Sequence, residues 1–214
     1  KGVEIDYETG VTDIQFDGSD SITTVETNSG DKKEIKARFI IDGSGYGRVI
    51  PRLLDLDVPS TFPPRSSMFT HVVDTRRPTG CDKDRIIVIA QSKDVWIWII
   101  PFSNGNTSLG FVGNTEFFDD FEGEGKQKFR DIIATEEKLT ERFSGTEMVF
   151  EPRMITGYAI GVKQLYGDGY ALTGNSAEFL DPVLSSGVTF ATESGALAAK
   201  LISRQLKGEE VNWE

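Results

Sequence analysis

The chain of 214 residues has a single cysteine, Cys81, and a single histidine, His71. One thiol excludes an internal disulfide and a cysteine-based metal site. With one His and one Cys, no metal-ligating constellation and no conventional Ser-His-Asp arrangement is expected. His71 lies in the strand-like run Met68-Phe69-Thr70-His71-Val72-Val73, where a structural role is the stronger reading. No apolar run approaches the roughly 18 residues of a membrane span. The longest, Val95-Trp96-Ile97-Trp98-Ile99-Ile100-Pro101, is strand-sized. Basic residues are few beside acidic ones, 23 against 34, for a formal net charge of −11. That balance argues against nucleic acid or anionic membrane as a partner, and plain solubility is the simplest use of the charge. No signal peptide is visible, so a cytoplasmic location is expected. The chain starts at Lys1 in mid-pattern without a methionine, and the expectation is a piece of a longer protein.

What is present reads first as antiparallel strands. Gly2–Tyr7 and Val11–Phe16 alternate apolar and polar residues, as half-buried strands do. Asp17-Gly18 supplies a turn before the β-branched run Ile22–Thr27. Ile35–Ile41 passes from alternation to a solid apolar end, the pattern of a strand entering a sheet buried on both faces. It runs into Asp42-Gly43-Ser44-Gly45-Tyr46-Gly47-Arg48, a strand-end loop whose glycines permit close backbone approach. A plain turn before a short helix at Val49–Leu54 is the competing reading.

Between residues 60 and 115 four more strands are expected, Phe69–Val73, Arg85–Gln91, Val95–Pro101 and Thr107–Val112, with a hairpin turn at Asn104-Gly105. Residues 116–143 read as helical, with Phe129, Ile132, Ile133 and Leu139 spaced for one buried face. Val149–Ile160 reads as one or two strands. Tyr170–Thr173 reads as a short buried strand, and Ser186–Leu206 as a closing helix with a small-residue stripe at Ala191, Gly195 and Ala199. Between these last two lies Gly174-Asn175-Ser176-Ala177-Glu178-Phe179-Leu180-Asp181-Pro182-Val183-Leu184-Ser185-Ser186-Gly187-Val188, a glycine- and hydroxyl-rich loop that offers free N–H groups at a helix start. The expected organisation is an α+β or α/β fold. Residues 1–58 and 161–214 form a partial Rossmann-like nucleotide-binding lobe, and 59–160 form an inserted antiparallel-sheet lobe for the substrate.

Three motifs, in order, carry a resemblance: Asp42-Gly43-Ser44-Gly45; Trp96-Ile97-Trp98-Ile99-Ile100-Pro101; and Gly174 through Val188. They resemble the flavin-dependent halogenases, within the wider group of two-lobed FAD monooxygenases that includes geranylgeranyl-reductase-like enzymes. The middle run fits the family's W-x-W-x-I-P pattern at every fixed position and is fairly specific; the two glycine loops are common to many FAD oxidoreductases. The chain departs from the family at Asn175, where an acidic residue is usual and where asparagine accepts hydrogen bonds more weakly. It departs again at Leu184, where tryptophan-type halogenases carry glutamate. The Leu-Ser-Ser-Gly-Val form is closer to halogenases of phenols or pyrroles, or to non-halogenating relatives. No G-x-G-x-x-G loop occurs in the chain, nor does the family's upstream segment with its reactive lysine, and no lysine present is assigned that role.

The resemblance implies FAD as cofactor and a halide oxidised to hypohalous acid, which reaches a small aromatic or carrier-bound substrate through a tunnel. A separate flavin reductase is a possible partner. It implies flavin contacts at Asp42, Gly43, Ser44, Gly45, Arg48, Gly174, Asn175, Asp181, Pro182, Ser185, Ser186, Gly187 and Val188. The backbone N–H groups of Ser186 and Gly187 would form the halide or flavin-carbonyl site, and Trp96, Trp98 and Pro101 the tunnel wall. On strand geometry alone Trp96, Trp98 and Ile100 share one face and Ile97 and Ile99 the other, and the two tryptophans read equally as core. A flavin dehydrogenase, reductase or aromatic hydroxylase on the same scaffold remains open, as does a non-catalytic folded piece.

Overall fold

A computed structural model describes residues 2–213. The chain separates into two compact units, Lys1–Thr61 with Ala159–Glu214, and Phe62–Tyr158.

The first unit opens with an antiparallel meander of β1 (Thr9–Asp17), β2 (Asp20–Thr27) and β3 (Lys32–Ala37). Asp17 pairs with Asp20 around a two-residue turn, and Gly18 takes a left-handed φ of +60° that suits glycine. The expected strand at Gly2–Tyr7 does not form. Its alternating Val3, Ile5 and Tyr7 stay exposed, since no strand among the described residues pairs with them. Ile35–Ile41 is also not one strand. Arg38 and Phe39 break it, and β4 (Ile40–Asp42) starts in another sheet with Ile41 42% exposed, so the solid apolar end is not buried on both faces. A short helix, α1 (Val49–Leu53), and β5 (Asp57–Pro59) follow.

The second unit is built on β6 (Ser66–Val73), β7 (Ile87–Ala90), β8 (Trp96–Pro101) and β9 (Asn106–Gly113). After them come α2 (Thr115–Asp119), α3 (Gly125–Ala134), α4 (Glu137–Phe143) and β10 (Arg153–Thr156). The sheet order is β10-β6-β9-β8-β7, antiparallel throughout. The period-2 pattern of β8 divides its two faces. Ile97 and Ile99 join Met68, Val72, Leu109 and Phe111 in a core cluster with Phe118, Phe129, Ile132, Ile133, Leu139 and Phe143 of the helices. The opposite face carries Trp96, Trp98 and Ile100.

At the end of β6, the Asp74 side chain is fully buried between Arg142, Arg77 and the Thr107 hydroxyl, which donates to it at 2.6 Å. Burial alone would raise the carboxyl's pKa. Hydrogen bonds from Arg142 and Thr107 and the charges of Arg142 and Arg77 outweigh that and hold it below its ordinary value. Arg77 also donates to the carbonyls of Phe102 and Asn106, tethering the β8–β9 loop.

The chain then returns to the first unit. β11 (Ile160–Val162) pairs with β5, so Val149–Ile160 resolves into β10 and β11, one in each unit. β12 (Tyr166–Gly167) and β13 (Tyr170–Leu172) join β4 in a three-stranded sheet, with β13 parallel to β4. Ile14, Ile50, Leu56, Tyr170, Leu172 and Ala177 form the core of this unit. The closing helix, α5 (Gly187–Gln205), buries Ala198, whereas Ala191 and Ala199 of the expected stripe are exposed. Ala191 packs closely on Gly174, where an added Cβ would stand 3.0 Å from the Ala191 Cβ, whereas a Cβ on Gly195 would meet nothing within 4 Å. No helix among the described residues is long and apolar enough to cross a membrane.

Candidate functional site

Leu172 of β13 lies in register with Asp42 of β4, so the two parallel strands end side by side. In open α/β sheets ligands bind beyond the carboxyl ends of such strands. Both strands run into glycine loops here, and hydrogen bonds staple the loops together. The Asp42 carbonyl accepts from the Thr173 N–H at 2.9 Å, the Thr173 hydroxyl at 3.1 Å and the Ser176 hydroxyl at 2.6 Å. Thr173 and Ser176 also form a reciprocal capping box around the turn Gly174–Ser176.

The Asp42 carboxylate faces inward. It accepts from the Ser44 N–H at 2.7 Å and the Ile50 N–H at 2.8 Å, closing the loop and capping α1. Arg48, at a left-handed φ of +44°, is likewise engaged within the protein. Its guanidinium pairs with Asp57 and donates to the carbonyls of Asn175, Ser176 and Gly161. The resemblance implied direct flavin contacts for both residues. Both side chains tie the loop to its neighbours: Asp42 to the start of α1, and Arg48 to Asp57, Gly161 and the Asn175-Ser176 turn.

What stays uncommitted is different. The Asn175 side-chain amide has no hydrogen-bond partner among the described residues, while its carbonyl is held by Arg48. Gly174, at a left-handed φ of +56°, has no room for a side chain against Ala191, and its N–H donates to the Ser194 hydroxyl at 3.1 Å. Asp181 accepts from the Val183 N–H, forming a one-turn helix at Pro182–Leu184 that ends at Ser185 with a left-handed φ of +53°. That turn delivers the chain to Ser186, the N-cap of α5, which makes no side-chain cap. The first-turn N–H groups at Gly187 and Val188 therefore have no intrahelical acceptor, and Val188 is 77% exposed. The Tyr46 and Phe179 rings, 5.4 Å apart, join the Gly43–Gly47 loop to the segment before Asp181. Burial raises the Tyr46 phenol above its ordinary pKa, so it stays neutral at physiological pH.

The glycine loops of the first unit are thus brought together, with the second turn of α5 held on Gly174. Trp96, Trp98 and Pro101 belong to the second unit. There Trp96 is 9% exposed, Trp98 is half-buried, and neither enters the helix-covered core cluster. Trp98 lies against Gly110, where any Cβ would run into its ring, and its indole N–H donates to the Ser108 hydroxyl at 3.0 Å. Sequence reasoning missed Thr173, Ser176, Ser194 and Ser108. The spacing Thr173-x-x-Ser176 was a usable signal for the first two, as a variant of the capping-box pattern.

The donor set at the strand ends suits a nucleotide or flavin: glycines for close approach, open helix N–H groups and a free amide. A family model described as tryptophan halogenase matches residues 1–211, and the chain belongs to that family. Within it, the chain is 26% identical over 215 residues to the 1H-pyrrole-2-carbonyl-[peptidyl-carrier protein] chlorinase of Pseudomonas fluorescens, covering 98% of this chain and 48% of that protein. A solved flavoprotein/dehydrogenase from Cytophaga hutchinsonii is 57% identical with a TM-score of 0.90, covering 99% of this chain and 52% of the other. The myxobacterial chondrochloren halogenase CndH is 27% identical with a TM-score of 0.80, covering 95% and 48%. The chain spans about half the length of the curated relatives it matches.

Proposed function

We propose that the protein is an FAD-dependent oxidoreductase of the halogenase-like monooxygenase kind, acting on a small aromatic or carrier-bound substrate. The observation that carries this reading is the stapled pair of loops at the ends of β4 and β13, with the second turn of α5 held against Gly174 through Ala191 and Ser194 and its first-turn N–H groups left open. In this reading the N–H groups of Ser186, Gly187 and Val188 and the Asn175 amide hold the flavin or a halide. Gly43, Ser44, Gly45 and Gly174 allow the backbone to come close. Asp42 and Arg48 keep the loops in place, and Asp181 with Pro182 and Ser185 sets the path of the chain into α5. Bound FAD would supply two-electron transfer and activation of oxygen. In this reading Trp96, Trp98 and Pro101 of the second unit line the path of the substrate and keep water from it. A separate flavin reductase is the proposed source of reduced flavin.

A second reading, a flavin dehydrogenase or reductase, is favoured by the likeness to the flavoprotein/dehydrogenase and by Leu184 before Ser185-Ser186-Gly187. Fold does not separate the two. In either reading the isolated chain, which carries no G-x-G-x-x-G loop, is proposed to fold without turning over. The discriminating experiment supplies full-length protein with FAD, a flavin reductase, NADH, bromide and a panel of free and carrier-bound aromatic acceptors. Brominated product by mass spectrometry is the expected outcome. Oxygen consumption with no brominated product from any acceptor contradicts halogenation, and a dehydrogenated or reduced product instead supports the second reading.

A further inference from the structure

The face of the five-stranded sheet away from the helices has a chemistry of its own. Register places Trp96, Trp98 and Ile100 of β8, Ser108 and Gly110 of β9, Phe69 and His71 of β6 and Arg153 of β10 on this one face. Its rings form an unbroken chain. Trp96 stands 5.9 Å from Trp98, Trp98 6.0 Å from Phe69, Phe69 6.3 Å from Phe150, and Phe150 4.9 Å from His71. The Arg153 guanidinium lies 5.2 Å over Phe150.

The polar groups of the face are donors short of acceptors. The Trp96 indole N–H is buried, in a side chain only 9% exposed, and has no partner among the described residues. A buried donor left unmet is unfavourable, so an acceptor brought by a ligand would relieve it. An indole nitrogen can only donate, so Ser108 must accept from Trp98, and its own hydroxyl proton has no acceptor among the described residues. The imidazole of His71, in register with Ser108, makes edge-on contacts with Phe102 and Phe150 and has no hydrogen-bond partner among the described residues. No aspartate or glutamate occupies a registered position of this face, in a chain with a net charge of −11.

We propose that this face binds a planar aromatic anion, its ring against Trp98, Phe69 and Phe150 and its anionic group met by Ser108, His71 and Arg153, with Trp96 donating to a second acceptor. Charge complementarity decides the class: a neutral ring would use the aromatic wall but leave the donors unmatched. The proposal deepens the oxidoreductase reading by naming the charge and shape of its substrate, and rests on that reading only for what is done to the bound ring.

The test is binding, read without turnover. His71 is the only histidine, so its ring C2–H gives one proton NMR signal, and the Trp96 indole N–H is one of three. Titration of the 214-residue chain with benzoate should move both signals saturably, with an affinity about tenfold tighter than that of the isosteric neutral benzamide. Arg153→Gln, at an exposed position, should weaken benzoate about fivefold and leave benzamide unchanged. Equal affinities for the two probes, or no movement of the His71 signal up to about 10 mM benzoate, overturn the proposal. So does FAD moving the same two signals and excluding benzoate, because the face would then belong to the flavin. Shifts of loop amides at 174–188 on adding FAD report the flavin reading separately, so either idea can fail alone.

Discussion

The two units handle their apolar residues in opposite ways. In the second, helices α2–α4 cover one side of the sheet, and Ile97, Leu109, Phe111, Phe118, Phe129, Ile132 and Leu139 are fully buried. In the first, the most exposed large hydrophobics of the chain, Leu184, Val3, Tyr7 and Val188, lie in water, at 84%, 82%, 79% and 77% exposed. Each buried side chain of this size contributes about 1.5–3 kcal/mol, and an exposed one contributes almost nothing. Two of the four, Leu184 and Val188, flank the candidate site. The stability of the second unit therefore rests on its own core, whereas that of the first depends on a small core, on loop hydrogen bonds and on whatever covers the start of α5.

The largest expected effect tests the second unit. Asp74→Asn leaves Arg77 and Arg142 facing a neutral amide, and should cost on the order of 3–5 kcal/mol in chemical denaturation. The pH dependence follows from the lowered carboxyl. Because its folded pKa lies below the unfolded one, its contribution is complete above about pH 4 and is lost as pH falls through the folded value. The Asn variant should lack that acid-side loss. An unchanged acid profile would show that the network carries no stability.

Gly110→Ala comes next. The added Cβ runs into the Trp98 ring, and the overpacking should cost about 1–3 kcal/mol and alter the near-ultraviolet tryptophan signal. Wild-type spectra and stability in this variant would mean that Trp98 is not held against the strand.

Ser176→Ala removes a hydroxyl shared between Asp42 and Thr173 and should destabilise the first unit by about 1 kcal/mol, with FAD affinity of the full-length protein falling as the loops part. The smallest effect on stability belongs to Asn175→Ala, within about 0.5 kcal/mol, since the side chain has no hydrogen-bond partner among the described residues. Its FAD affinity, followed by flavin fluorescence, should nevertheless fall. Loss of stability with affinity unchanged would reverse the roles assigned to these two residues.

How much was legible in the sequence follows the same division. The β1–β2 hairpin and the buried helical face at Phe129, Ile132 and Ile133 were legible because periodicity and turn residues act locally. The break at Arg38-Phe39 was not, because the apolar character runs straight across a change of sheet. Nor does the sequence show which distant partners the loop side chains take. Asp42 and Arg48 sit in a binding-type motif, but Arg48 is claimed by Asp57 and by carbonyls over a hundred residues away, at Asn175, Ser176 and Gly161. Asp74 drew no attention at all, since Arg142 is 68 residues distant. Charge pairing over such separations has no sequence period.

On the proposed reading the stapled loops and the start of α5 hold the cofactor. Hydrogen exchange of the full-length protein with and without FAD tests it most directly. Slowed exchange at residues 42–47 and 174–188, with the interior of the β6–β10 sheet unchanged, is the predicted result. Bound FAD that leaves both segments exchanging as before would contradict it.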